Sequence, residues 1–250
     1  MAYTNTFATH PGKKAEDEES LNEDFAHAWV NHDVLYQVVA DGNKLIEDIG
    51  PAAFCVNEIQ RFIERYSESK MSIHEIKRMM AGAVFCANRT LLSFKKANSE
   101  QYNQSVFSSL TMCAITKNND FAWVHTGDSR LYIIRNEKII QITKDHTVAQ
   151  KLCSENKIKK EQIALHPDRN TLTSALGFDE IVIDDFSGKL SEKDIIMLTT
   201  DGVYKVLSNE QILEIIMQSG TCESACEGIV EVANICGGPD NMSVCIAYAY

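Results

Sequence analysis

The sequence predicts an α+β fold of mainly antiparallel sheet, with helices packed outside in pairs. Helical patterns come two at a time and do not alternate with single strands, which disfavours a doubly wound parallel sheet. The runs between them are β-branched, apolar and bounded by turn residues, as strands are. The 250 residues are 44% hydrophobic and 24% charged, enough to bury a core without disulfide staples. No linker, repeat or low-complexity stretch divides them, so a single domain over 1–250 is expected.

The first strand-like run is Phe25–Val30, which alternates. Val34–Ala40 (VLYQVVA) is apolar throughout and stops at the turn pair Asp41-Gly42. Pro51–Tyr66 places Phe54, Ile59, Phe62 and Ile63 at helical spacing. Ser72–Asn98 opens on S-I-H-E, a capping box, and continues with Ile76, Met79, Met80, Val84 and Leu91. Strands return at Val106–Thr116, Phe121–His125, Leu131–Arg135 and Lys138–Ile142, the last two joined by a hairpin tip at Asn136-Glu137. Thr147–Asn156 reads as helix and Lys157–Asn170 as an irregular polar stretch. Strands follow at Ile181–Phe186 and Asp194–Thr200, then helices at Ser208–Gln218 and Cys222–Ile235, then a last strand, Met242–Ala247.

Lys plus Arg number 24 against 35 Asp plus Glu, a formal net charge of −11. That argues against non-specific nucleic-acid binding and against an anionic membrane surface, and it permits divalent cations where carboxylates converge. No apolar run approaches the ~20 residues that span a bilayer, and the first twenty residues lack the apolar core of a signal peptide. A cytoplasmic protein with reduced thiols is therefore expected. Lys13–Glu19 (KKAEDEE) reads as an exposed loop. Cys222 and Cys226, with Cys236 beyond, lack zinc-ligand spacing and read as small packed hydrophobes. Cys55 to Arg61 satisfies C-x-x-x-x-x-R, yet it lies in a helix interior whose N–H groups are already bonded and cannot cradle phosphate. No glycine-rich nucleotide loop is present.

The residues that bear chemistry are acidic. Asp41, Asp128, Asp201 and Asp240 each sit at one end of an apolar, strand-like run, and Asn22-Glu23-Asp24 precedes an early strand. One Asp-Gly pair is an ordinary turn. Several carboxylates at strand ends are what a hard-cation site needs, since Mg²⁺ and Mn²⁺ prefer oxygen ligands.

Eight segments occur in an order and spacing that resemble the metal-dependent Ser/Thr protein phosphatases of type 2C, in their bacterial form. They are NED (22–24), VADG (39–42), SSLTMCAI (108–115), TGDSRLYIIR (126–135), ITKDHTVAQ (142–150), HPDRNTLTSALG (166–177), DIIMLTTDGV (194–203) and GGPDNMSV (237–244). The resemblance implies a β-sandwich of two antiparallel sheets flanked by pairs of antiparallel helices, four layers in αββα order, with a flap at about 147–170. It implies two Mn²⁺ or Mg²⁺ ions and a third, weaker one. Asp41 would bridge the first two, with Gly42 offering its carbonyl to one and Asp201 and Asp240 ligating the other. Glu23 and Asp24 would hold metal-bound water, and Asp128 would help bind the third ion. Hydrolysis of phosphoserine and phosphothreonine by a metal-bridging hydroxide is implied, with Asp41, Asp201 and Asp240 acting through that water.

Two departures from the family pattern stand out. The Arg expected five residues before Asp24 is Glu19, leaving Lys13, Lys14 or Lys44 to hold the substrate phosphate without a bidentate fork. The DGHGG form of the family places a proton-donating His where Asn43 stands, and Asn cannot donate a proton at neutral pH. His125 and His146 are donors by type but read better as structural histidines. Expected partners are phosphorylated protein substrates with an opposing Ser/Thr kinase, with no nucleic acid, no membrane and a monomeric state. The alternatives are a phosphatase of the sporulation or stress-regulator type, or a catalytically weak or inactive relative that binds a phosphoprotein or other partner.

Overall fold

The computed structural model describes residues 3–12, 22–43, 50–99 and 106–249. Ten strands form two five-stranded antiparallel sheets. One has the order β1 (Tyr3–His10), β10 (Met242–Ala249), β9 (Ile195–Thr199), β6 (Arg130–Arg135), β7 (Lys138–Gln141). The other has the order β2 (Asp24–Asn31), β3 (Val34–Asp41), β4 (Leu110–Thr116), β5 (Asp120–Thr126), β8 (Asp184–Lys189). Antiparallel helices α1 (Pro51–Tyr66) and α2 (Ile73–Ala97) cover the second sheet. Helices α6 (Asn209–Gln218) and α7 (Cys222–Ile235) cover the first. The predicted αββα sandwich is the fold found.

The run VLYQVVA shows why. In β3, Tyr36, Val38 and Ala40 pack toward α1 and α2, while Leu35 and Val39 pack between the sheets. A strand buried on both faces loses its polar–apolar alternation and reads as continuously apolar. β10 does the same: Val244 and Ile246 face α7, and Cys245 and Ala247 face the interior. The one polar residue among these β3 positions, Gln37, is fully buried and donates from Nε2 to the Ile246 carbonyl at 3.0 Å, tying the two sheets together.

Helix starts follow their capping signals. Pro51 opens α1, and the Ser72–Glu75 box opens α2 with both reciprocal bonds formed. Ser208 and Thr221 cap α6 and α7 in the same way. Asn136 and Glu137 both take positive φ at the tip between β6 and β7, as a tight hairpin turn demands.

Some elements differ from the sequence reading. Strand β4 begins at Leu110, not Val106, because Ser108 leaves the ladder to bridge both Gly42 and Leu176. The strand expected at Ile181–Phe186 lies at Asp184–Lys189. Strand β1 was not anticipated: YTNTFATH is too polar to announce a strand, and it lies at the edge of its sheet. Helix α3 (Val148–Ser154) is as expected, but the irregular stretch after it contains a one-turn helix, α4 (Lys160–Ile163), and Asp201–Tyr204 forms another, α5. Cys222 and Cys226 are buried, their thiols donating to the carbonyls of Thr4 and Thr6 in β1. Cys55 is buried inside α1, where desolvation pushes its thiol far up, away from any nucleophilic role.

Candidate metal centre

Five acidic side chains from separate parts of the chain feel one another's charge at one end of the sandwich. Asp24 opens β2 and Asp41 closes β3, and the antiparallel register sets them directly opposite. Asp128 stands in the loop from β5 to β6, Asp201 opens α5 just after β9, and Asp240 lies just before β10. Asp24, Asp128 and Asp201 retain only 7%, 6% and 8% of their exposure, whereas Asp240 is exposed.

Three glycines permit the strand ends to approach. A Cβ on Gly202 would stand 1.9 Å from the Asn241 carbonyl oxygen, so the Asp201 turn and the Asp240 loop meet backbone to backbone. Gly127 has φ +103, and a Cβ there would fall 2.5 Å from that of Ser109. Gly42 would set a Cβ 2.9 Å from the Glu23 carbonyl, the same carbonyl that its N–H meets at 3.3 Å.

Neutral groups fix the Asp24 carboxylate and the backbone that carries Asp41, Glu23 and Asp128. Thr200 donates from Oγ1 to Asp24 Oδ2 at 2.7 Å and accepts from the Ser243 N–H at 3.0 Å. The Asp41 carbonyl accepts from the Ser109 N–H at 2.9 Å, and the Asp41 N–H reaches Ser109 Oγ at 3.3 Å. Asn241 accepts the Glu23 N–H at 2.9 Å and donates to the Pro11 carbonyl at 2.7 Å. Tyr204 donates to the Asp128 carbonyl at 3.0 Å, and its ring lies 3.5 Å below the Arg130 guanidinium, itself held by Asp145 at 2.9 and 2.7 Å. Thr200, Ser109, Asn241 and Tyr204 were not singled out from the sequence. Thr200 and Asn241 are short polar residues that adjoin Asp201 and Asp240 in sequence, which is the signal that was available; Ser109 and Tyr204 carry no such signal.

Burial and mutual repulsion leave their mark. Desolvation, with Asp201 and Asp240 adding negative charge, raises Asp24 to about 8 despite the Thr200 bond. Desolvation and the charges of Asp24, Asp201, Asp128 and Asp240 push Asp41 well up. Desolvation and Asp201 raise Asp128 to about 7, opposed by Lys205. Among the described residues, no three His, Cys, Asp or Glu side chains already close on one point as metal ligands do. The carboxylates share a field, and the structure shows no finished cage.

The remaining predicted residues divide. Glu23 is placed beside the site by its backbone. Lys13, Lys14, Lys44 and Glu19 lie outside the described residues. Asn43 accepts the Phe107 N–H at 2.9 Å, so its amide ties a loop together. His125 is buried, with Nδ1 2.8 Å from Thr111 Oγ1 and Nε2 3.1 Å from the Lys144 carbonyl. Desolvation lowers it to about 3, so it is a neutral structural histidine. His146 packs under the 127–128 turn, accepting the Gly127 N–H at Nδ1, 3.3 Å away, with Nε2 3.2 Å from Asp184.

The sandwich is the fold of solved bacterial serine/threonine phosphatases. The Streptococcus agalactiae serine/threonine phosphatase superposes with a TM-score of 0.88 at 24% identity, covering 99% of this chain and 100% of its own. The catalytic domain of the serine/threonine phosphatase PstP, in complex with two manganese ions, superposes at 0.79 and 23% identity, covering 98% and 97%. In sequence, residues 51–152 match the protein phosphatase 2C family model. Protein phosphatase PhpP of Streptococcus pneumoniae is 30% identical over 129 residues, 51% of this chain and 52% of its own. The chain thus spans about half the length of that curated relative in the matched region. The resemblance read from the motifs is met in two ways: the chain shares the fold of these phosphatases, and residues 51–152 match the protein phosphatase 2C family model. No helix among the described residues is long and apolar enough to cross a membrane.

Proposed function

We propose that the chain is a divalent-metal-dependent hydrolase of phosphoserine and phosphothreonine in proteins. The observation that carries the reading is the cluster of buried and half-buried carboxylates from β2, β3, the β5–β6 loop and α5. Without a cation such a cluster opposes folding by repulsion and desolvation. Its donors are all oxygens, which suits Mn²⁺ or Mg²⁺ and disfavours softer ions. The proposed ligands are Asp41, the Gly42 carbonyl, Asp201 and Asp240 for two ions, with Glu23 and Asp24 alongside and Asp128 toward a third. Bound, such ions lower the pKa of water to near neutrality and neutralise phosphoryl oxygens.

The protein's own part is placement. The β2–β3 register holds Asp24 opposite Asp41, Thr200 orients Asp24, and Ser109 fixes the Asp41 backbone. Asn241 clamps the Glu23 backbone to the Asp240 loop. Lys13, Lys14 or Lys44 would grip the phosphate in place of the missing Arg. Substrates with basic flanks suit the net charge of −11, set there by an opposing kinase. The chain would act as one cytoplasmic, monomeric domain with residues 147–170 as a flap. The second reading, a catalytically weak relative that serves as a binding module, has one observation in its favour. Asn43 stands where a donor to the leaving group is expected and is spent on Phe107.

The test is phosphate release from p-nitrophenyl phosphate and from a phosphothreonine peptide with Mn²⁺, with Mg²⁺ and with EDTA. Metal-dependent release that EDTA abolishes is expected. Calorimetric Mn²⁺ binding without turnover would favour the module. Neither binding nor turnover would overturn the metal reading.

A further inference from the structure

Among the described residues, a lysine stands among the acids. Lys205 follows α5 directly, and its N–H donates to the Asp201 carbonyl at 3.0 Å. Its ammonium pairs with Asp201 Oδ2, four residues back, and also feels the charges of Asp128 and Asp41. The residue before it is pinned: Tyr204 donates to the Asp128 carbonyl and lies under Arg130, which Asp145 grips with both oxygens. The backbone that carries Lys205 is therefore fastened to the 127–130 turn at one end and to Asp201 at the other. The side chain is half-buried and offers a compact positive charge with donors only.

We propose that the Lys205 ammonium is a resident cation in the place a third divalent ion would take beside Asp128 and Asp201, so that the chain binds two ions. The inference rests on the metal reading above. A divalent ion entering that place would meet a fixed positive charge at close range and would have to displace it from Asp201. Asp24 and Asp41, set opposite each other on β2 and β3, make no ion pair with a cationic side chain among the described residues. Asp41, Asp240 and the second carboxylate oxygen of Asp201, Oδ1, remain for the two tighter ions.

The experiment is Mn²⁺ titration by calorimetry, with bound Mn²⁺ counted by electron paramagnetic resonance. It uses the full chain and its Lys205→Met, Lys205→Asn and Lys205→Arg variants. The wild type and Lys205→Arg should bind two ions. Lys205→Met and Lys205→Asn should bind a third, with an affinity on the order of tenfold or more above any residual third binding in the wild type. The metal-free neutral variants should also melt lower than the wild type and regain the difference in Mn²⁺. Lys205→Met keeps the stem of the side chain, so it reports even where Lys205→Asn does not fold. A wild type that binds three ions overturns the proposal, as does an unchanged count and affinity in both neutral variants. Both of those results leave the two-metal reading standing. A wild type that binds no Mn²⁺ overturns both.

Discussion

The two flanks of the acidic end are built differently. On the β2–β3 side, Asp24 and Asp41 face each other across a strand pair; among the described residues Asp24 meets the hydroxyls of Thr200 and Ser243, the Asp41 backbone meets Ser109, and neither acid pairs with a cation. On the α5 side, Asp201 is paired with Lys205, and the Asp128 backbone is tied to the Arg130–Asp145 pair through Tyr204. One flank leaves its charge to be neutralised from outside, while the other brings cations of its own. Burial of acids alone therefore does not locate a metal. The flanks differ in whether the chain supplies a cation: Lys205 meets Asp201, and among the described residues no cationic side chain pairs with Asp24 or Asp41.

The contrast can be broken at either flank. Asp41→Asn should have the largest effect, abolishing metal-dependent turnover by about 100-fold or more while far-UV circular dichroism stays native. Retained full activity would sink the assignment of Asp41. Asp145→Ala strands Arg130 and should cost about 2–4 kcal/mol by denaturant melting. That is less than for a fully buried pair, because Arg130 keeps 22% side-chain exposure. Thr200→Val removes the Thr200 donor from Asp24 Oδ2, leaving that of Ser243, and should weaken Mn²⁺ binding by about 10-fold, read by calorimetry.

The smallest effect is a slope with pH. Asp24 and Asp128 titrate near 8 and 7 in the folded chain and lower when unfolded, so the folded state holds more protons between those values. Metal-free stability should accordingly fall as pH rises from about 4 to about 8, and saturating Mn²⁺ should flatten that fall. A metal-free Tm that rises over this window would contradict the buried cluster.

The sandwich was legible because its central strands are buried on both faces and read as unbroken apolar runs, as in VLYQVVA, with Asp-Gly at their ends. Strand β1 was not legible: five of its eight residues are Thr, Asn or His, and its partner lies at the far end of the sequence. The acids at 41, 128, 201 and 240 were legible as a set, because each ends a strand-like run. The groups that hold them were not, since Thr200, Ser109 and Asn241 act through single hydrogen bonds that leave no periodicity. Helix α5 is one turn long, too short for a 3.6-residue pattern, so Lys205 went unmarked although its spacing of four from Asp201 was in plain view.

The pairing of β1 with β10 also sets when the site can exist. Asn241 reaches across 230 positions to Pro11 and 218 to Glu23, and Asp240 lies against Gly12. A nascent chain carries Asp24 and Asp41 long before it carries Asp240, so the acidic end stays open until β10 has emerged and found β1. Contacts this distant in sequence form slowly. The acidic end is thus assembled only once synthesis has passed β10, and a chain interrupted before that point holds Asp24 and Asp41 without Asp240 beside them.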